Sequence, residues 1–333
     1  MKNKKMHLVK SFRSILAGLL LTLFATGCGD SDSASNYPSA GEFNNLKDIA
    51  LNSITQTFDL NVASGLTNFT TANGVTISID GSDLTLNGNP VTGQVDIEYV
   101  EIFKGGDMLT TGMHTMGKLP GGDRAMLVSG GEFYINATKN GQQLELNGHI
   151  TLQIPTQLTD DNGGNNEMTL WEFVDGNFWL EQQVGPNGVP GAFLEGQGGV
   201  GINSIYYAFV DDFGWCNVDV FYSDPRPKTT ILASVPDGYD NQNCAIYLHY
   251  DGEGNGLANL DTYDTATGLF SEHYGQIPIG LECHIIFVTE DNGQWRYAIK
   301  PATISANAVY DFTLAETSVG TQAQLTAAIN ALP

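Results

Sequence analysis

The sequence predicts an all-β protein of two β-sandwich domains with a short C-terminal helix, behind an export signal. Three observations predict it. Glycine accounts for 39 of the 333 residues. Asn-Gly and Asp-Gly pairs recur between short apolar runs, supplying the positive φ that tight hairpin turns require. The runs themselves alternate with a period of two, the repeat of a half-buried strand.

At the start of the chain, residues 1–27 hold Lys2, Lys4, Lys5, Lys10 and Arg13, no acid, and an apolar run over 15–24. That run is shorter than the roughly 20 residues a membrane span needs. Its order of basic, apolar and small residues is that of a signal peptide. The segment closes with Ala25-Thr26-Gly27-Cys28, which resembles the bacterial lipobox, with Ala25 where leucine is more usual. The resemblance implies cleavage before Cys28, acylation of its thiol with palmitate-like chains, and an exported lipoprotein anchored at the outer membrane or cell surface. Residues 28–52 are expected to be a lipidated flexible tether, because 29–42 have almost nothing to bury. Acids so close to the lipidated cysteine resemble the surface-export signals of Bacteroidota lipoproteins.

Without the signal the chain keeps nine Lys and Arg against 37 Asp and Glu, a net charge of −28. Such a surface repels phosphate backbones and anionic head groups, which excludes nucleic acid as a partner and leaves the lipid as the route to a membrane.

The first sandwich is expected over 53–157. Val75, Ile77 and Ile79 alternate with Thr76 and Ser78 before Asp80-Gly81; Leu84 to Leu86 stop at Asn87-Gly88. Val95, Ile97, Tyr99, Glu101 and Phe103 share one face of the next run. Further runs end at Asn140-Gly141, Asn147-Gly148 and Pro155. About seven strands in about 100 residues is sandwich density. Residues 158–203 read as a linker or insert, with a polar break at 160–166 and a Gly/Pro-rich stretch at 185–201. A second, smaller sandwich is expected over 204–333. It ends in a helix over 322–332, where Leu325, Ile329 and Leu332 form an apolar stripe.

Besides Cys28 there are Cys216, Cys244 and Cys283. Outside the cytoplasm three thiols permit one disulfide, and Cys244–Cys283 is preferred because each enters an apolar run. The alternative is three small buried hydrophobes.

Two stretches carry a family resemblance. Phe69-Thr-Thr-Ala-Asn-Gly-Val-Thr-Ile-Ser-Ile79, Gly88-Asn-Pro-Val-Thr-Gly-Gln-Val-Asp-Ile-Glu98, Ser129-Gly-Gly-Glu-Phe-Tyr-Ile135 and Thr151-Leu-Gln-Ile-Pro155 resemble the ZU5-like β-sandwich of Bacteroidota lipoproteins. Phe213-Gly-Trp-Cys-Asn-Val-Asp-Val-Phe-Tyr222 and Val235-Pro-Asp-Gly-Tyr239 resemble the carboxypeptidase-regulatory-like β module that follows it. The resemblance implies architecture and no reaction. The self-cleaving His-Phe-Ser motif of some animal ZU5 proteins does not occur here.

Motifs of catalysis are missing. None of the six histidines stands at zinc-ligand spacing from another, and His149, His249 and His284 alternate with strand residues, so exposed strand positions or satisfied partners are expected of these three. No Gly-x-Ser-x-Gly elbow or Ser-x-x-Lys occurs after the signal, and Gly196-Gln-Gly198-Gly199-Val-Gly201 lacks the lysine of a phosphate loop. A calcium site is weakly signalled by Asp251, Glu253 and Asn255, which alternate with glycines as in an EF-hand loop, but the twelfth position is Thr262 rather than glutamate. Asp160, Asn162 and Asn166 make a second oxygen-rich loop. Trp171 and Trp179, with Trp215, Trp295, Tyr206 and Tyr207, are candidates for stacking on sugar rings, against the alternative that they fill the cores; Trp215 is expected to be buried. The resulting expectation is a non-enzymatic surface lipoprotein serving as a binding, adhesion or scaffold module with a glycan or protein partner. Glycan binding through exposed aromatics and an undetected hydrolase are the alternatives.

Overall fold

The computed structural model describes residues 37–159, 165, 167–174, 176, 178–182, 191–195 and 204–333. The signal, Cys28, the oxygen-rich residues Asp160, Asn162 and Asn166, and the glycine run at 196–201 lie outside the described residues.

The fold is all-β, as the alternation predicts. One sheet runs, in spatial order, through Gln56–Asn61, Gln94–Ile102, Arg124–Lys139, Gly214–Phe221, Thr169–Val174, Phe178–Gln182 and Met116–Lys118. The last of these pairs back onto Arg124–Lys139, so part of the sheet closes on itself. Facing it is a sheet ordered Ala192–Glu195, Ile205–Val210, Ile150–Pro155, Thr76–Asp80, Leu66–Thr70. Between them Ile77, Ile97, Phe133, Leu152 and Tyr206 form a buried core. A second sandwich pairs the sheet Thr262–Asp264, Leu269–Pro278, Lys228–Ser234, Val309–Asp311 with the sheet Ala258–Asn259, Cys244–Tyr250, Glu282–Asp291, Gln294–Thr303, Ser318–Gly320. Its core holds Ile231, Ile246, Phe270, Ile285 and Phe287.

Three helices fill a further core against the two sandwiches. Helix α1 (Ala40–Ile54) contributes Phe43, Leu46 and Ala50; α2 (Gly105–Thr111) contributes Met108 and Leu109; α3 (Gln322–Asn330) contributes Leu325 and Ile329. They pack with Val100, Ile102, Trp171 and Trp179 of the first sandwich and with Tyr247, Ile286, Val288 and Trp295 of the second. This explains the burial along Gln94–Ile102. It alternates while only one face is covered, then becomes buried on both faces from Tyr99 onward.

Three expectations are corrected here. Residues 40–52 are a helix instead of a tether: Ser39 caps it and Glu42 reaches back to Ser39 N–H at 2.7 Å, a capping box. The expected linker at 158–203 supplies strands Thr169–Val174, Phe178–Gln182 and Ala192–Glu195, and residues 205–221 pair with the first sandwich instead of opening the second. Residues 37–333 accordingly form one compact unit. The Cys244–Cys283 disulfide is absent and all three described thiols are free and buried. Cys244 pairs with Thr289 and Cys283 with Tyr250, at opposite ends of one strand pair. Six residues of strand separate those levels by about 20 Å, whereas a disulfide needs Cα atoms within about 7 Å.

Candidate functional site

The predicted stacking tryptophans are not available to a sugar. Trp171 is 1% exposed and Trp179 0%. Their indole N–H groups donate inward, Trp171 to the carbonyl of Asp219 at 2.9 Å and Trp179 to that of His114 at 2.7 Å. Burying a large aromatic against the helices gains about 1.5–3 kcal/mol, which is why the helix-lined core takes them. Trp295 and Tyr206 are buried too. Trp215 departs the other way: it is half-buried, tilted against Tyr134 at 5.4 Å between ring centres.

The aromatics that face out stand on the sheet from Ala192–Glu195 to Leu66–Thr70. In these strands one side chain in two enters the core, and the register aligns the others in cross-strand rows, two of which carry the aromatics. Phe193 stands opposite Tyr207, Tyr207 opposite Gln153, Gln153 opposite Thr76, and Thr76 opposite Thr70. Phe209 stands opposite Thr151, then Ser78, then Asn68. Phe193 and Tyr207 stack with ring centres 5.3 Å apart and planes 10° apart; Phe209 lies 5.8 Å from Phe193, and His149 meets its edge at 5.5 Å. Phe193 is 37% exposed. These two rows run from an aromatic end into hydroxyl and amide side chains; beside them on the same face stand two carboxylates, Glu195, which hydrogen-bonds Tyr207, and Asp80. Five strands about 4.8 Å apart make a face about 19 Å across. Of the aromatics predicted to stack, only Tyr207 falls on it. Phe193 and Phe209 were legible as outward positions only once the strand pairing was known.

A second constellation was also missed. Strands Cys244–Tyr250 and Glu282–Asp291 pair so that His249 stands opposite His284. Asp251, one residue past the first strand, turns its Oδ1 between them, 2.7 Å from His284 Nδ1 and 3.9 Å from His249 Nδ1. The expectation of separate, satisfied histidines is corrected: two imidazoles and a carboxylate bring donor atoms within 4.8 Å of one another. His249 is 1% exposed, and its Nδ1 has no hydrogen-bond partner. Burial lowers the pKa of His249 and keeps the ring neutral, against the pull of Asp251.

The calcium loop does not assemble as predicted. Asp251 is engaged by His284, and Asn255 spends its amide N–H on the carbonyl of Ser129 at 2.6 Å. Glu253 is half-buried, with its pKa raised by burial.

Two further acids, Glu132 and Asp219, sit fully buried on paired strands. Burial pushes Glu132 up to about 8 and Asp219 well above the usual carboxylate range. Asn217 donates its amide to Asp219 at 2.5 Å and accepts from Ser129 Oγ at 2.8 Å. Both carboxyls are sealed within the core, away from solvent.

The chain matches no family model and no curated protein. Among the described residues no helix is long and apolar enough to cross a membrane.

Proposed function

We propose that the protein is an exported, lipid-anchored, non-catalytic surface module that binds a neutral glycan on the outer face of the sheet carrying Phe193, Tyr207 and Phe209. The observation that carries this reading is the pair of cross-strand rows in which stacked aromatics continue into Gln153, Thr151, Thr76, Ser78, Asn68 and Thr70. A sugar ring has an apolar C–H face and a rim of hydroxyls. Aromatic rings receive the first with little entropy loss, and amides and hydroxyls, each both donor and acceptor, exchange hydrogen bonds with the second. The broad, flat surface suits a chain of sugars better than a single small molecule. The carboxylates of Glu195 and Asp80 beside the rows, on a chain of net −28 after the signal, disfavour acidic polysaccharides. The ZU5-like and carboxypeptidase-regulatory-like resemblance belongs to the same proposal, as does the anchor at Cys28.

Binding of the full-length protein to neutral polysaccharides, surveyed on a glycan array and then quantified on the best hit, tests the reading. Phe193→Ala and Tyr207→Ala are each expected to weaken binding about tenfold, roughly 1.4 kcal/mol, while far-UV circular dichroism is unchanged. Binding that neither substitution reduces would place the ligand elsewhere. For the anchor, mass spectrometry of the mature N-terminus is expected to find a diacylglycerol-modified Cys28; an unmodified cysteine or cleavage elsewhere removes the lipoprotein assignment.

A further inference from the structure

We propose that His249, Asp251 and His284 form a binding site for a single divalent transition-metal ion of the zinc type. The site is separate from the glycan-binding face, and its strands belong to the other sandwich.

The geometry supplies the donors. Zinc bonds to imidazole nitrogen and carboxylate oxygen are about 2.0–2.2 Å long, which sets neighbouring donors about 3.3–3.6 Å apart around one tetrahedral ion. The observed separations of 2.7 Å and 3.9 Å from Asp251 Oδ1 bracket that range. Small rotations of the two rings and the carboxylate therefore suffice to bring all three donors onto one ion. Paired strands fix the imidazoles, because His249 and His284 occupy directly opposed positions in a ladder that runs from Cys244–Thr289 to Tyr250–Cys283. Asp251 is held by its backbone, whose N–H donates to the carbonyl of Glu282 at 3.1 Å.

The independent sign of a ligand is His249. A ring nitrogen that is buried and unpaired costs about 1–3 kcal/mol of desolvation, and native structures rarely leave one so without reason. Here the unpartnered Nδ1 points at the carboxylate from beyond hydrogen-bond distance. An ion between them would satisfy it.

The donor set selects the kind of ion. Two nitrogens and one oxygen suit the borderline first-row dications, whereas calcium and magnesium require oxygen-rich shells. Three protein ligands leave a coordination position open. His284 and Asp251 keep 14% and 21% of their side-chain surface exposed, and Asp251 also lines an open cleft of about 290 Å³ with Glu282, Cys283, Pro301, Ala302 and Thr303, so solvent reaches these two ligands. The strong negative charge of the chain concentrates dications near it. Bound metal would also fasten the 251–256 loop, which reaches α2 through the bond from Gly105 N–H to the carbonyl of Gly254 and reaches the first sandwich through Asn255.

Full-length protein stripped with a chelator and titrated separately with zinc, cobalt(II) and calcium chlorides tests the site. Zinc is expected to bind one per chain and to raise the melting temperature. Cobalt is expected to give the visible d–d bands of nitrogen and oxygen ligation, and calcium to do neither. His284→Ala, at a partly solvent-facing ring, is expected to abolish stoichiometric zinc binding, and the isosteric Asp251→Asn to weaken it at least tenfold. His149→Ala, remote from the site, is expected to bind like the parent. Circular dichroism checks that the variants are folded. The proposal is overturned if the parent shows no saturable zinc binding, or if zinc binds His284→Ala and Asp251→Asn as tightly as the parent.

Discussion

Glu132 and Asp219 carry fully buried carboxyls on adjacent strands, and neither oxygen of Glu132 has a hydrogen-bond partner. Burial raises Glu132 to about 8 in the fold, from an ordinary value of 4.5. The folded chain therefore holds a proton that the unfolded chain has released. This contribution to stability is full below about pH 4.5 and is lost progressively as the pH rises toward about 8. Glu132→Gln removes the titration while keeping the shape. Relative to the parent, its melting temperature is expected to be higher by roughly 2–4 °C at about pH 8, the equivalent of about 1 kcal/mol, and not higher at about pH 5. An equal difference at the two pH values, measured by calorimetry, would contradict the burial argument. Residue chemistry of this kind was the least legible part of the sequence. His249 and His284 are far apart in the chain, and only strand register makes them neighbours. Trp171 and Trp179 fill a core, the reading weighed against sugar stacking, although nothing local announces that helices cover their sheet. The three core thiols, by contrast, agree with the simplest reading of a small apolar side chain, and burial pushes Cys216 and Cys283 up to about 12, far from a reactive thiolate.

At the scale of elements, turn chemistry was the reliable guide. Asn87-Gly88 and Asn140-Gly141 adopt the positive φ values their residue types favour, 52° and 74°, then 51° and 75°. The helix predicted over 322–332 forms as Gln322–Asn330, with Leu325 and Ile329 buried and a Thr321–Gln324 capping box. Helix α1 was missed although its signal was present: Ser39-Ala40-Gly41-Glu42 is a capping box in a stretch whose polarity suggests a tether. Ser39→Ala is expected to cost about 1 kcal/mol of stability in urea unfolding, because α1 closes the helix-lined core; no change would mean that the cap is redundant. Helix α2 was not legible at all. It begins Gly105-Gly106, a poor helix start by propensity, and the reason for the second glycine lies in packing. A Cβ on Gly106 would come within 2.5 Å of the backbone oxygen of Thr326 in α3.

For the whole molecule, the helix-lined core has the largest consequence. The division expected from sequence gave two sandwiches with a linker between them. Instead, Phe43, Leu46, Met108, Leu109, Leu325 and Ile329 pack against both and make residues 37–333 one unit. The covered sheet faces are thereby withdrawn from binding, and the sheet bearing Phe193, Tyr207 and Phe209 keeps an outer face on which the aromatics continue into hydroxyl and amide side chains. The proposed function rests on this division between covered and open faces. Hydrogen–deuterium exchange of the full-length protein, with and without a saturating neutral oligosaccharide chosen from the array, tests it most directly. Slowed exchange is predicted in Ala192–Glu195, Ile205–Val210 and Ile150–Pro155, with Gly214–Phe221 and Gln294–Thr303 unchanged. Protection confined to those last two strands, with none on the aromatic face, would contradict it.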